Sequence, residues 1–156
     1  MMTGLHVVKD VDIKVHSIPV PWSVPVIYRY GGCRPNPRLA AWQAAVAGAA
    51  RLAWGPLEPT SDPVSLKLTF FLPRTNDSDS GVVVPILKLN RLTGKITKRG
   101  LAQADLTNLA KGTEDALEGI VFVNDILVRH KEEIAYYGDA DEIGVWINVG
   151  ILKGAT

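Results

Sequence analysis

The chain has 156 residues, of which 47% are hydrophobic, and its 17 basic and 16 acidic residues leave a formal net charge of +1. This length fits one domain with a single core, and no apolar run approaches the roughly 20 residues that a membrane-spanning helix needs. Cys33 is the only cysteine, so an intramolecular disulfide and a cysteine-rich metal site are both excluded. The first residues lack the basic-then-apolar layout of a signal peptide, and we therefore expect a cytoplasmic protein.

The first predicted elements are a strand and an irregular arm. Val11, Ile13 and Val15 alternate with polar residues, which is typical of a half-buried strand. Residues 17–38 contain five prolines and the pair Gly31-Gly32, so a regular element is not expected there. This arm also carries arginines and tyrosines, a combination that can bind phosphates and stack on bases. A surface loop with solvated arginines explains the same residues equally well.

A helix and a strand follow the arm. Residues 39–54 are rich in alanine, the strongest helix former. The positions predicted to face the core recur at helical spacing: Leu39, Trp42, Val46 and Ala49. Trp42 is therefore interpreted as a packing residue. Residues 64–72 alternate between apolar and polar types and predict a strand.

Residues 74–104 form the least regular part of the sequence and are predicted to be a flexible basic loop or hairpin. The segment from Lys88 to Arg99 has five basic residues and no acidic one, with a possible hairpin turn at Thr93-Gly94. Such a segment can grip a phosphate backbone. A solvated hairpin is the alternative.

Residues 105–125 are predicted to be the functional centre of the chain. At about 100° per residue they form an amphipathic helix with one core-facing arc: Leu106, Leu109, Ala110, Thr113, Ala116 and Leu117. The opposite arc is polar: Asp105, Asn108, Lys111, Gly112 and Asp115. Glycine in a helix costs roughly 1 kcal/mol against alanine, so Gly112 suggests a place where a bulky group approaches the backbone. A short apolar run then leads to Asn124 and Asp125.

The end of the sequence predicts two further strands. Residues 126–137 alternate imperfectly and residues 143–151 alternate strictly, and an antiparallel hairpin is expected between them. The order of elements predicts a single α+β domain spanning residues 1–156, with a mixed sheet of about four strands and two main helices packed on it.

The polar residues around this helix suggest metal-dependent chemistry on phosphate. Two carboxylates from separate elements, Asp105 and Asp125, can hold Mg²⁺, which prefers oxygen ligands. Lys111 can neutralise charge that develops on a phosphodiester, and Asn108 can hold a carboxylate or a metal-bound water in place. The three histidines are isolated and show no metal-ligand spacing. A solvated helix face with ordinary charges remains the alternative.

At these residues the chain resembles the RusA-type Holliday junction resolvases, a family common in bacteriophages and prophages. The family pattern is roughly D-x-D-N-L-x-K, then D-A-L and an acidic pair before a strand. Here the matching segments read DLTNLAK from Asp105 to Lys111, DAL from Asp115, and Asn124-Asp125. The similarity is clearest over residues 103–136.

The resemblance implies a homodimeric, Mg²⁺-dependent endodeoxyribonuclease, with Mn²⁺ as a possible substitute, that resolves four-way DNA junctions by paired symmetric cuts in recombination and repair. Asp105 and Asp125 then match metal-binding aspartates and, with Lys111, the catalytic set. Asn108 and Asp115 match supporting positions. Together with the basic arm and loop, the resemblance implies these DNA-binding residues: Arg29, Arg34, Arg38, Arg74, Lys88, Arg91, Lys95, Lys98 and Arg99.

Two departures from the family pattern bear on activity. Thr107 stands where the family most often has a second aspartate, and Asn124 replaces the first acid of the closing pair. Thr107 can cap the helix or position a metal-bound water, and Glu114 is a candidate to compensate for the missing carboxylate. The alternative to an active nuclease is a junction-binding or DNA-binding protein of the same fold with weakened or lost cleavage.

Overall fold

The computed structural model describes residues 5–23, 25–27, 29, 31–34, 36–73, 86–89, 96–99 and 106–154. The side chains of residues 5, 26, 27, 34, 86–89 and 96–99 are outside that description. Over these ranges, none of the helices is long and apolar enough to cross a membrane.

Eight strands and two α-helices are found in the described residues. In chain order they are β1 (Leu5–Val15), β2 (Val26–Ile27), β3 (Cys33–Arg34), α1 (Pro37–Trp54), β4 (Val64–Pro73), β5 (Ile86–Leu89), β6 (Ile96–Arg99), α2 (Leu106–Leu117), β7 (Val128–Gly138) and β8 (Gly144–Gly154). A short 3₁₀ turn, Asp125–Leu127, directly precedes β7.

The four long strands form one mixed sheet in the order β1-β8-β4-β7. Strand β8 runs antiparallel to both of its neighbours, β1 and β4, whereas β4 and β7 are parallel. Side chains of both helices and of one face of this sheet belong to the same buried cluster. The predicted α+β domain with a mixed four-stranded sheet and two packed helices is therefore confirmed.

The predicted hairpin between the last two strands is wrong. Strand β8 lies between β1 and β4, so β4 separates it from β7. The alternation in residues 143–151 correctly predicted which side chains are buried, since Val145, Ile147 and Val149 are all in the core. Alternation identifies the buried face of a strand but not the strand beside it, and this is why proximity in sequence misled the prediction.

Helix α1 is positioned by its cap and by a continuous apolar stripe. The side chain of Asn36 accepts a hydrogen bond from the Arg38 N–H at 3.0 Å, and Pro37 occupies the first helical position. The stripe consists of Leu39, Trp42, Val46, Ala50 and Trp54. Ala49, which was predicted to face the core, is only half-buried.

The two helices are joined through a buried polar contact. The indole N–H of Trp42 donates to the Thr113 hydroxyl at 3.3 Å, and that hydroxyl donates to the Leu109 carbonyl at 2.9 Å. Trp42 is only 1% exposed, which confirms that it is a packing residue. Burial of a large apolar side chain of this kind contributes about 1.5–3 kcal/mol to folding.

Short paired strands occur in the arm, which was predicted to be irregular, and in the segment that was predicted to be a basic loop or hairpin. In the arm, β2 and β3 pair antiparallel around Gly31 and Gly32, whose φ values of 92° and 88° favour glycine. Further along, β5 and β6 also pair antiparallel, with Leu89 opposite Ile96. The predicted turn at Thr93-Gly94 lies between these two strands and outside the described residues.

Candidate metal centre

Three carboxylates meet where helix α2 ends and the chain returns toward β7. Asp115, Glu118 and Asp125 each offer an oxygen, and these oxygens lie within 4.8 Å of one another. All three residues are exposed. Asp125 was predicted to bind metal and Asp115 to support the site, whereas Glu118 was missed. We call these three residues the acidic cluster.

A tight reversal of the chain after α2 brings the acidic cluster together. Glu118 directly follows the helix, and Gly119 takes a φ of 84°, which permits the turn. After the half-buried Ile120, Val121 and Phe122 are completely buried. Because these two side chains are anchored in the core, Asp125 returns to a defined position.

Backbone hydrogen bonds from Thr60, just before β4, hold the returning segment. The Thr60 N–H donates to the Val121 carbonyl at 2.8 Å, and its carbonyl accepts from the Val123 N–H at 3.1 Å. The segment that leads to Asp125 is therefore bonded to the residue that lies just before β4, the parallel partner of β7.

Asn124 has a structural role in this segment. Its side-chain oxygen accepts a hydrogen bond from the Ile126 N–H at 2.9 Å and caps the 3₁₀ turn that begins with Asp125. An asparagine cap satisfies a backbone donor in the same way as an aspartate would. The departure from the family pattern at this position thus preserves the local geometry while removing one charge.

The electrostatics of the acidic cluster favour a bound cation. Burial raises the pKa of Asp115, the charge of Lys111 lowers it, and the neighbouring charge of Asp125 raises it again, so that the net shift is upward. Among the ion pairs of the described residues, none includes a member of the cluster. The charge of Asp125 repels that of Asp115, and a divalent cation held by the cluster would relieve that repulsion.

A second group of charged residues beside the cluster is joined by ion pairs. The ammonium of Lys131 lies 2.8 Å from Glu133 and 3.4 Å from Glu114. Burial works against the charge of Lys131, but the two carboxylates outweigh it and its pKa is raised. We call these three residues the paired triad. Glu114, the candidate to compensate for the missing carboxylate, is thus paired with a lysine, and burial raises its pKa despite that lysine.

Lys111 lies on the same helix as Asp115, one turn earlier. It is exposed, and its ammonium nitrogen lies 3.7 Å from the centre of the Trp22 ring. That distance is well within the range of a cation–π contact. The catalytic lysine predicted from the sequence therefore contacts the proline-rich arm.

The prediction for Gly112 is wrong in its placement. Gly112 is buried, and a Cβ atom there would lie 3.2 Å from Leu39 Cδ1, 3.5 Å from the Trp22 nitrogen and 3.6 Å from the Val20 oxygen. A close approach of other atoms to its backbone was expected, but the approaching group is the arm of the same chain. Whether one small residue of a helix is buried or exposed depends on tertiary packing, which helical periodicity alone does not predict.

Several predicted site residues are only partly visible or lie outside the described residues. Asp105 is outside them. Thr107 is the second residue of α2, which begins at Leu106, and its side chain is exposed. Asn108 is half-buried. Of the nine predicted DNA-binding residues, the structure describes the side chains of Arg29 and Arg38, and both are exposed.

Glu118 could have been found from its spacing. It follows Asp115 by three residues, and side chains three apart lie on the same side of a helix. It lies outside the matched motif segments, so the resemblance did not point to it. The structure shows that the Glu118 N–H still donates to the Glu114 carbonyl, at 3.2 Å, which continues the helical pattern by one residue.

Comparison with known protein families places this α+β domain among the endodeoxyribonucleases. The matching family model is that of endodeoxyribonuclease RusA, and it covers residues 18–148 of the 156. The match spans well over half of the chain, so the chain belongs to the RusA family, as its motifs indicated. No curated protein matches the chain. Membership implies a Holliday junction endodeoxyribonuclease, an enzyme that acts on branched DNA.

Proposed function

We propose that the protein is a divalent-metal-dependent nuclease that resolves four-way DNA junctions in the bacterial cytoplasm, in recombination and repair. The observation that carries the proposal is the acidic cluster, which folding assembles from the end of helix α2 and the segment that returns toward β7. Mg²⁺ is the proposed ion and Mn²⁺ a substitute, because the donors are carboxylate oxygens. A phage or prophage origin and a homodimer that makes paired cuts belong to this proposal, since two symmetric cuts need two sites.

The residues of the cluster fit such an ion. Asp115, Glu118 and Asp125 are exposed, so a hydrated ion and a DNA phosphate can both reach them. Mg²⁺ usually retains several waters and binds through one or two carboxylates together with a substrate phosphate. The proposed ligands are these three residues and Asp105, of which Asp105 is assigned from the motif alone.

The chemistry divides between the ion and the chain. A bound Mg²⁺ supplies charge neutralisation at the phosphodiester and an activated water. The carboxylates of the chain hold the ion, and the Lys111 ammonium stabilises negative charge that builds up on the phosphate. Asn108 supports the carboxylates, and Asn124 keeps the Asp125 segment in place through its cap.

We further propose that the basic residues hold the DNA. Arg29 and Arg38 are exposed on the arm and at the start of α1. Arg34 would contact the phosphate backbone from the arm, and the other six members of the predicted set would do so from the segment between β4 and α2. Their effect should be uniform over DNA sequences and should weaken with salt, because phosphate contacts release counterions.

A synthetic four-way junction with labelled strands tests the proposal. Incubated with the protein and Mg²⁺, it should yield two symmetric nicks, while a linear duplex of the same sequence should stay intact. Binding of the junction without nicking over a range of Mg²⁺ and Mn²⁺ concentrations would refute the nuclease and favour a binding protein of the same fold. The uncharged residues at Thr107 and Asn124 are what makes that second function worth testing.

A further inference from the structure

The arm is docked on helix α2, the helix that carries Lys111 and Asp115. The backbone N–H of Trp22 donates to the Asn108 carbonyl at 2.9 Å. The backbone of the arm at Val20 and Trp22 packs onto Gly112, where a side chain would crowd it. The Asn36 amide also reaches the Ser23 hydroxyl at 3.4 Å, which ties the arm to the start of α1. Trp22 is therefore held in place by both helices.

Lys111 could pair with Asp115 or lie over the Trp22 ring, and the structure shows it over the ring. Asp115 lies four residues further along α2, a spacing at which lysine and aspartate commonly form an ion pair. The ion pairs of the described residues nevertheless do not include Lys111 and Asp115. The ammonium lies instead over the Trp22 ring, 3.7 Å from its centre.

We propose that Trp22 is a positioning residue that holds Lys111 away from Asp115. An ion pair between the two would occupy the carboxylate that the metal needs and the ammonium that the phosphate needs. The aromatic face attracts the cation without taking up its charge, because the attraction comes from the ring quadrupole. The ring thus keeps the ammonium out of a direct ion pair with Asp115, although its charge still acts on that carboxylate. This inference rests on the proposed function for its catalytic consequence but concerns a contact that exists without DNA.

The variants that test it are Trp22→Leu, which removes the ring, and Trp22→Phe, which keeps an aromatic face. Calorimetric titration with Mn²⁺ alone measures metal affinity without any cleavage. Trp22→Leu should weaken Mn²⁺ binding by about three- to tenfold, because Lys111 then approaches Asp115. Trp22→Phe should stay within about twofold of the wild type.

The double variant Trp22→Leu/Lys111→Met separates positioning from folding. Without the lysine there is no competing ammonium, so Mn²⁺ affinity should return to at least the wild-type value. A loss that persists in the double variant would mean that Trp22 only supports the fold, and the proposal would be wrong. Wild-type affinity in Trp22→Leu would overturn it as well.

The chain offers a matched control in a second pair of the same kind. Lys14 lies 4.3 Å from the centre of the Trp146 ring, on the sheet face away from the helices. Trp146→Leu removes a tryptophan that is 51% exposed and should leave Mn²⁺ affinity unchanged. An equal loss in this variant would show a nonspecific effect and contradict the proposal.

Proton NMR of the Lys111 side chain keeps this test independent of the proposed function. Methylene protons next to an indole face resonate upfield of those of other lysines, and Trp22→Leu should remove that displacement. If the wild type neither binds metal nor cleaves junctions, the nuclease proposal fails. The upfield shift of the Lys111 protons still decides whether Trp22 holds Lys111. Its absence in the wild type would refute the positioning role. With an active enzyme, Trp22→Leu should lower kcat more than it changes KM, and Trp22→Phe should restore kcat.

Discussion

The acidic cluster and the paired triad are neighbours that use the same residue types to opposite effect. In the paired triad, Lys131 lies within 3.4 Å of both Glu114 and Glu133, so two negative charges share one positive charge. In the acidic cluster, three carboxylates lie within 4.8 Å of one another, and the nearby Lys111 is drawn onto an aromatic ring. The first arrangement can stabilise the fold, whereas the second leaves charge available for a ligand.

This contrast shows that a count of acidic residues does not identify a metal site. Glu114, Asp115 and Glu118 lie within five residues of one another, yet the lysine opposite Glu114 separates its role from that of the other two. The arrangement of cations around carboxylates decides which of them can accept a metal ion. Four predictions test this division of roles.

The largest effect is expected from Asp125→Asn. The amide keeps the size of the side chain but removes a charge from the acidic cluster, so junction cleavage should be abolished while junction binding is retained. The matched control is Glu133→Gln, which removes a carboxylate from the paired triad and should leave cleavage close to wild type. Gel assays of cleavage and binding measure both. Cleavage that survives in Asp125→Asn would remove this residue from the site.

Lys111→Met should lower the cleavage rate by about 10²–10³-fold, since one positive charge at the reacting phosphate is lost. Thermal stability should change little, because Lys111 is exposed. The control is Lys67→Met, which removes an exposed lysine from the face of the sheet that points away from the helices. Single-turnover cleavage of the junction is the measurement, and equal rates in Lys111→Met and the wild type would exclude a catalytic role.

Thr107→Asp should lower the metal concentration needed for half-maximal cleavage severalfold. The substitution restores the acid that the family pattern has at this position and adds a negative charge to the polar side of α2. Metal titrations of cleavage with Mg²⁺ and Mn²⁺ provide the test, and Thr107→Asn controls for side-chain shape without charge. The same metal dependence in all three proteins would mean that the threonine does not weaken the site.

Lys131→Met is expected to have the smallest effect on activity and to act on stability instead. It should lower the free energy of unfolding by about 1 kcal/mol at neutral pH, a value reduced by solvent screening of the partly exposed lysine. The folded-state pKa of Lys131 is raised above its ordinary value of 10.5, so this stabilisation is complete below that pH and is lost as the pH rises through the raised pKa. Urea unfolding of variant and wild type at several pH values should therefore show a difference that shrinks in strong alkali. A difference independent of pH would indicate lost packing.

Much of the fold could be predicted from local patterns. The alternation in β4 and β8 and the apolar stripes of α1 and α2 identify the buried faces, because burial of one side of an element leaves a periodic trace in the sequence. The neighbours of β8 could not be predicted in this way, since a strand is compatible with several partners.

The candidate site was predictable where it depends on the motif and unpredictable where it depends on packing. Asp125 and Asp115 were identified from the motif, and the structure brings them together. Glu118 joins them through the turn at Gly119, and Trp22 meets Lys111 through the docking of the arm. Both contacts arise from the path of the chain in three dimensions, which spacing along the sequence does not contain.

The parallel pairing of β4 with β7 also has a consequence for the folding pathway. Val64 lies opposite Val128, and Thr60 bonds to Val121, so the segment that carries Asp125 joins the sheet through contacts between residues far apart in sequence. Contacts of this kind close large loops and tend to form slowly. A chain that has not yet docked β7 has no assembled cluster, so a cation would bind the native state far better than its precursors. Such a ligand stabilises the native state by mass action, and metal in excess of its dissociation constant should therefore raise the melting temperature.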